Sequence, residues 1–210
     1  VNEVSESLLA ACQNVVAEIQ RLLFDPQTSV VVAVDGGSGA GKSTAAALVA
    51  DELDAALIPL DDFFSAGIPD SQWDTFSVEE RSNYVFDWNR LRDRAIEPLL
   101  AGKSARWRAV DFESGLRADG TYGMQADITE REPADVILIE GAYSASPALA
   151  DLVDLTILVD VPVDKRHARL GARENREFLE KWHARWDPVE RHYFREVRPR
   201  SSFDLVLRPE

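Results

Sequence analysis

Apolar positions along the chain follow two rhythms, short unbroken runs and stripes at helical spacing. Leu8, Leu9, Cys12, Val15, Val16, Ile19, Leu22 and Leu23 recur every three or four residues, which predicts an amphipathic helix over about 4–23 that covers a sheet. Asp25-Pro26 closes it. The run Val30-Val31-Val32-Ala33-Val34 predicts a buried strand, and Ala45-Ala46-Ala47-Leu48-Val49 falls in a helix over about 42–53. Four more apolar runs predict four more strands: Ala56-Leu57-Ile58-Pro59-Leu60, Asp135 to Ile139, Leu155 to Val159, and Phe203 to Leu207.

Helix signals separate these runs. Ser77-Val78-Glu79-Glu80 has the form of a capping box, and Asp87 stands at the N-cap of a helix running through Leu91, Ile96 and Leu99 to Gly102. Ser146-Pro147 starts a short helix, and Asp164 caps another that carries Arg166, Arg169 and Arg173. Leu179, Trp182 and Trp186 suggest a further helix, and Asp187-Pro188-Val189-Glu190 supplies an N-cap, a first-turn proline and an N3 glutamate. Residues 65–76 read as a loop. Residues 105–133, with Gly115, Asp119-Gly120 and Gly123, read as short strands and hairpin turns off the main sheet. The alternation predicts an α/β fold in one domain over 1–210, with a substrate-side excursion at 105–133 and a lid at about 163–180.

Composition narrows the partners. The 210 residues are 45% hydrophobic, enough for a proper core, and the net charge of −14 opposes nucleic-acid backbones and anionic membrane surfaces. Neither is expected as a partner. A single cysteine, Cys12, on the apolar stripe reads as a buried thiol in a reducing compartment. No apolar run reaches membrane-span length and no basic start precedes an apolar core, so a cytoplasmic location is expected.

The chemistry concentrates where strands end. Gly36, Gly41, Lys42 and Ser43 match G-x-x-x-x-G-K-[S/T] between a strand and a helix, where backbone N–H groups cradle phosphates, the lysine reaches the β/γ oxygens and the hydroxyl meets Mg²⁺. The nucleotide-binding candidates are Gly37, Ser38, Gly39, Ala40, Gly41, Lys42, Ser43 and Thr44. A glycine-rich turn can also simply join a strand to a helix. Asp61-Asp62-Phe63-Phe64 follows the second strand at the carboxyl edge where open parallel sheets bind ligands, although two adjacent acids also make a solvated turn or cap. Glu140 ends the third strand as a Walker B acid able to hold Mg²⁺. Capping alone accounts for Asp87. Arg166, Arg169 and Arg173 share one helical face, which is either solvated or part of a lid.

Together the phosphate loop, Asp61-Asp62-Phe63-Phe64, Asp87 and Ile139-Glu140-Gly141 resemble the uridine kinase-like family of P-loop kinases over about residues 30–207. The resemblance implies a three-layer α/β/α sandwich with a five-stranded parallel sheet in the order 2-3-1-4-5, ATP and Mg²⁺ as cofactors, and a small-molecule hydroxyl acceptor. It implies Asp61 as general base, with Lys42 and Arg173 as the other catalytic residues. Ser43 and Glu140 would hold the metal, and Asp87 the ribose hydroxyls, with Asp62, Phe112, Arg166 and Arg169 as further substrate contacts. Uridine or cytidine leads among acceptors, ahead of nicotinamide riboside, pantothenate or another hydroxylated metabolite. One segment departs from the pattern: uridine-cytidine kinases carry Tyr-Asp-Phe where this chain has Val110-Asp111-Phe112, so the tyrosine's base contact is missing. The rival class is a regulatory P-loop NTPase, a nucleotide-dependent switch acting through protein partners. The chain lacks the N-K-x-D and L-S-G-G-Q motifs that would favour its GTPase and transporter versions. A homo-oligomer is compatible with the sequence, which does not decide oligomeric state.

Overall fold

Why β1 (Val30–Asp35) lies at the centre follows from its side chains, all six of which are buried. A strand with no polar side needs cover on both faces, which parallel sheets with flanking helices supply. The computed structural model describes residues 6–23, 28–172 and 174–209. Its main sheet joins β1 to β2 (Ala56–Pro59), β7 (Val136–Glu140), β8 (Leu155–Val159) and β9 (Leu205–Leu207) in the order β2-β7-β1-β8-β9, every pairing parallel. Counting only these five, the order is the expected 2-3-1-4-5.

Period-two alternation then divides the core. Val30, Val32 and Val34 point to one face and pack with Cys12, Val15, Val16 and Ile19 of α1 (Glu6–Leu22) and with Ala45, Ala46 and Val49 of α2 (Lys42–Leu53). Val31, Ile58, Ile137 and Ile139 point to the other, against Leu91, Ile96, Leu99, Val189 and Tyr193. The predicted first helix is therefore part of the core, and Cys12 is buried in it, its thiol pKa raised by burial. The Asp25-Pro26 stop lies outside the described residues.

On the acceptor side, short α3 (Asp70–Trp73) precedes α4 (Val78–Tyr84), whose N-terminus carries the full Ser77/Glu80 capping box. Asp87 caps α5 (Trp88–Leu91), which continues through a π turn at Arg92–Ile96 into α6 (Glu97–Leu100). Pro98 has no N–H for the regular ladder, and the amide of Glu97 bonds back five residues to the Arg92 carbonyl. The 105–133 excursion is two antiparallel pairs, β3 (Ala105–Trp107) with β6 (Thr129–Arg131) and β4 (Val110–Asp111) with β5 (Gly123–Met124).

Two helix expectations need correction. Asp164 lies in the first turn of α7 (Val163–Gly171), and Pro162 occupies its N-cap. The motif Asp187-Pro188-Val189-Glu190 starts no helix: α8 runs unbroken from Arg176 to His192 with Asn175 as N-cap and Pro188 inside. A mid-helix proline costs about 3 kcal/mol, and burial of Val189 on this helix and of Tyr193 just past its end offsets it. None of the described helices is long and apolar enough to cross a membrane.

If α1 is integral, Ile19→Ala, at a position with no exposed surface, should cost about 2–5 kcal/mol in urea unfolding. A cost below about 0.5 kcal/mol would show the helix to be an appendage.

Candidate active site

The phosphate loop begins on a buried carboxylate. Asp35 has no exposed surface and accepts four hydrogen bonds, from Gly36 N (2.6 Å), Tyr143 N (2.9 Å), Ala145 N (3.0 Å) and Tyr193 Oη (2.7 Å). Burial pushes its pKa up, while Tyr193, the amides and Lys42 pull against that shift. Beyond it the loop turns through left-handed backbone. Gly39 has φ 79°, and a Cβ there would stand 2.7 Å from the Arg166 carbonyl oxygen, so only glycine fits. Gly41, at φ 91°, is the N-cap of α2 and no side chain caps that helix. Its leading amides point into the loop at the positive end of the helix dipole, a ready site for phosphate oxygens.

Register brings the acids to this loop. Val34 and Pro59 both pair with Glu140, so β1, β7 and β2 end side by side. The Ser43 hydroxyl donates to Glu140 Oε2 at 3.2 Å. Two oxygens at that separation suit adjacent corners of an octahedral Mg²⁺ shell, which at about 2.1 Å per bond places neighbours about 3 Å apart. Lys42 is buried, its ammonium donating to the Gly37 carbonyl at 3.1 Å. Burial raises the Glu140 pKa, with Lys42 opposing and the charges of Asp61 and Asp62 adding to it.

Asp61 and Asp62 follow β2 in a single 3-10 turn, Leu60–Phe63, and take different environments. Asp61 keeps exposed surface, yet the groups packed about its carboxylate raise its pKa by desolvation; Lys42 lowers it and Asp62 raises it further. Asp62 is half-buried, its carboxylate accepting from Trp107 Nε1 at 2.8 Å and its carbonyl from Arg90 Nη2 at 2.7 Å. Its pKa is raised by burial against the pull of Trp107, Arg131 and Arg90. Asp87 spends one carboxylate oxygen on the Arg90 amide, 3.0 Å away, and its own amide donates to the Phe63 carbonyl at 2.8 Å. Phe112 is exposed, with Tyr122 and Phe64 ring centroids at 5.0 and 5.6 Å.

The arginines grip the loop from behind. Arg166 is buried and donates to Ser38 O at 2.9 Å, Val161 O at 3.2 Å and Glu190 Oε2 at 2.9 Å, and the other Glu190 oxygen accepts Ser38 N at 2.7 Å. Arg169 reaches the carbonyls of Gly39 (3.3 Å) and Ala40 (3.2 Å). Arg173 lies outside the described residues. Residue patterns alone do not single out Asp35, Trp107, Glu190 or Tyr193 as site residues. Asp35 had a local signal, an acid ending an apolar run just before glycine; Glu190 had none, since its partner Ser38 is 152 residues away. Next to Asp62 a cavity of about 370 Å³ is lined by Arg90, Arg94, Arg106, Arg108 and Trp107 among others.

Residues 31–177 match the model of the phosphoribulokinase/uridine kinase family. The chain belongs to this family. It is 34% identical over 153 residues to a uridine kinase of Halobacterium salinarum, an alignment covering 70% of this chain and 63% of that relative. It thus spans less than two thirds of that relative's length. A Staphylococcus aureus uridine kinase is 28% identical over 159 residues, 72% of this chain and 71% of the relative. Among solved structures, a Bacillus stearothermophilus protein described as a possible uridine kinase superimposes with a TM-score of 0.69 at 18% identity, covering 95% of this chain and 98% of that one. D-glycerate 3-kinase of Cryptococcus neoformans gives 0.57 at 15% identity, over 85% and 86%. At such identities the two likenesses speak for the fold.

Because the folded state raises the pKa of Asp61, its ionised form costs stability once pH exceeds the unfolded value of about 3.9. Asp61→Asn should therefore melt higher than wild type at pH 7, the gain shrinking as pH falls toward 4; an equal or lower Tm at pH 7 would contradict desolvation of Asp61. Tyr193→Phe takes one donor from buried Asp35 and should cost about 1–3 kcal/mol in urea unfolding.

Proposed function

We propose that this protein is an ATP- and Mg²⁺-dependent kinase that moves the γ-phosphoryl group to a hydroxyl of a small metabolite, a nucleoside of the uridine or cytidine type being the first acceptor to test. The observation that carries this reading is the meeting of Ser43 and Glu140 at 3.2 Å beside the strand end that delivers Asp61. When bound, Mg²⁺ neutralises charge on the triphosphate. The loop amides from Gly37 to Thr44 cradle phosphate oxygens, and Lys42 leaves the Gly37 carbonyl to meet them. Ser43 and Glu140 hold the metal. Asp61 takes the acceptor hydroxyl's proton, its raised pKa making it a stronger base than an ordinary aspartate. Asp87 offers its second oxygen to neighbouring hydroxyls, and Phe112 with Tyr122 offers an exposed aromatic face for a planar base. Arg166 and Arg169 position the loop, and Arg173 closes over the transferring group from the lid.

One observation favours a second acceptor class. Four arginines line the cavity beside Asp62; Arg90 and Arg108 spend donors on main-chain carbonyls, which leaves Arg94 and Arg106 to attract a hydroxylated acceptor bearing a carboxylate, such as pantothenate or a glycerate-like acid. The D-glycerate 3-kinase neighbour adds only a fold-level analogy.

ADP release measured with ATP, Mg²⁺ and a panel of nucleosides and hydroxy acids decides both. Acceptor-dependent release is expected, whereas release indifferent to every acceptor would favour a regulatory NTPase. Asp61→Asn should lower kcat by about 10²–10⁴-fold with ATP affinity nearly kept, and retained turnover would remove Asp61 from the base role. The acid limb of kcat/KM should lie above the ordinary aspartate value of about 3.9.

A further inference from the structure

Outside the catalytic cleft, α7 and α8 bring two of the chain's three histidines together. His167 of α7 and His183 of α8 have ring centroids 4.0 Å apart, and Asp187, one turn along α8 from His183, lies against both. Its carboxylate is 3.0 Å from His183 Nδ1 and 3.3 Å from His167 Nε2. One ligand atom from each residue falls within 4.8 Å of the others. His167 Nε2 is also a buried nitrogen with no hydrogen-bond partner among the described residues. Buried ring nitrogens seldom go unpaired, and this one faces a carboxylate and a second imidazole.

We propose that His167, His183 and Asp187 form a zinc-binding clamp between α7 and α8, separate from the Mg²⁺ site at Ser43 and Glu140. Two imidazoles and one carboxylate are a donor set that suits zinc and disfavours Mg²⁺, which takes oxygen ligands. A tetrahedral ion with bonds of about 2.0–2.1 Å sets its ligand atoms about 3.4 Å apart, close to the two carboxylate–imidazole spacings of 3.0 and 3.3 Å, so side-chain rotations seat it. Water fills the fourth position. The clamp spans the same two helices as the phosphate-loop grip: Arg166 adjoins His167, and Glu190 follows Asp187 by one turn of α8. Zinc therefore fastens the seam from which Arg166 and Glu190 hold Ser38.

Zn²⁺ is titrated calorimetrically into the metal-stripped protein in buffer containing excess Mg²⁺, with Co²⁺ as a spectroscopic stand-in. The expected result is one saturable site per chain, a visible tetrahedral Co²⁺ band and a Tm raised by Zn²⁺. His183→Gln and Asp187→Asn, each checked for native circular dichroism, should weaken Zn²⁺ binding at least tenfold and abolish the Tm rise. His192→Ala and Glu140→Gln should keep both. Absence of saturable Zn²⁺ uptake would overturn the proposal. So would uptake that survives both His183→Gln and Asp187→Asn, or that is lost in His192→Ala or Glu140→Gln.

Discussion

A carboxylate placed where no water reaches it must be fully hydrogen-bonded or it destabilises the fold. Asp35 meets that condition with four donors drawn from three parts of the chain: the first loop amide, the turn after β7, and the end of α8. The consequence is geometric. The start of the phosphate loop, the exit of the strand that ends in Glu140 and the far end of the C-terminal helix share one polar node, so none can shift without leaving a buried charge underserved. The anchor is costly to disturb, and it ties the carboxyl edge of the sheet together.

A second polar node works on the outer side of the same loop. Arg166 and Glu190 pair at 2.9 Å in a buried setting and between them take both the amide and the carbonyl of Ser38. Buried ion pairs contribute little net stability, and their value lies in specifying one arrangement. Here that arrangement is a loop whose backbone is already turned toward a ligand, which reduces the ordering cost of binding. Arg166 and Arg169 spend donors on the carbonyls of Ser38, Gly39 and Ala40, so the helix that carries them acts on the loop through its main chain.

Legibility followed interaction range. The strands, α1, the Ser77 capping box, the Asp87 N-cap and the off-sheet pairs at 105–133 arise from contacts within a few residues or from simple alternation, and each appeared where the pattern placed it. Pro188 was misread because its local signal, a capping sequence with proline in the first turn, is outweighed by burial of Val189 and Tyr193 against a sheet formed by distant residues. Asp61 and Asp62 look equivalent as neighbours in sequence. Only packing tells them apart, leaving one exposed to solvent and giving the other to Trp107, 45 residues on.

The α/β alternation, the glycine loop with its lysine and hydroxyl, and the acids that end two strands are legible in the residue order, because each depends on backbone conformation or on residue spacing within one element. The tertiary structure alone decided that Ser43 and Glu140 stand 3.2 Å apart, that Asp35 and Glu190 hold the loop from either side, and that two histidines and an aspartate meet across α7 and α8. Those are contacts between elements, and no local periodicity encodes which element will lie beside which until the sheet order and helix packing bring them together.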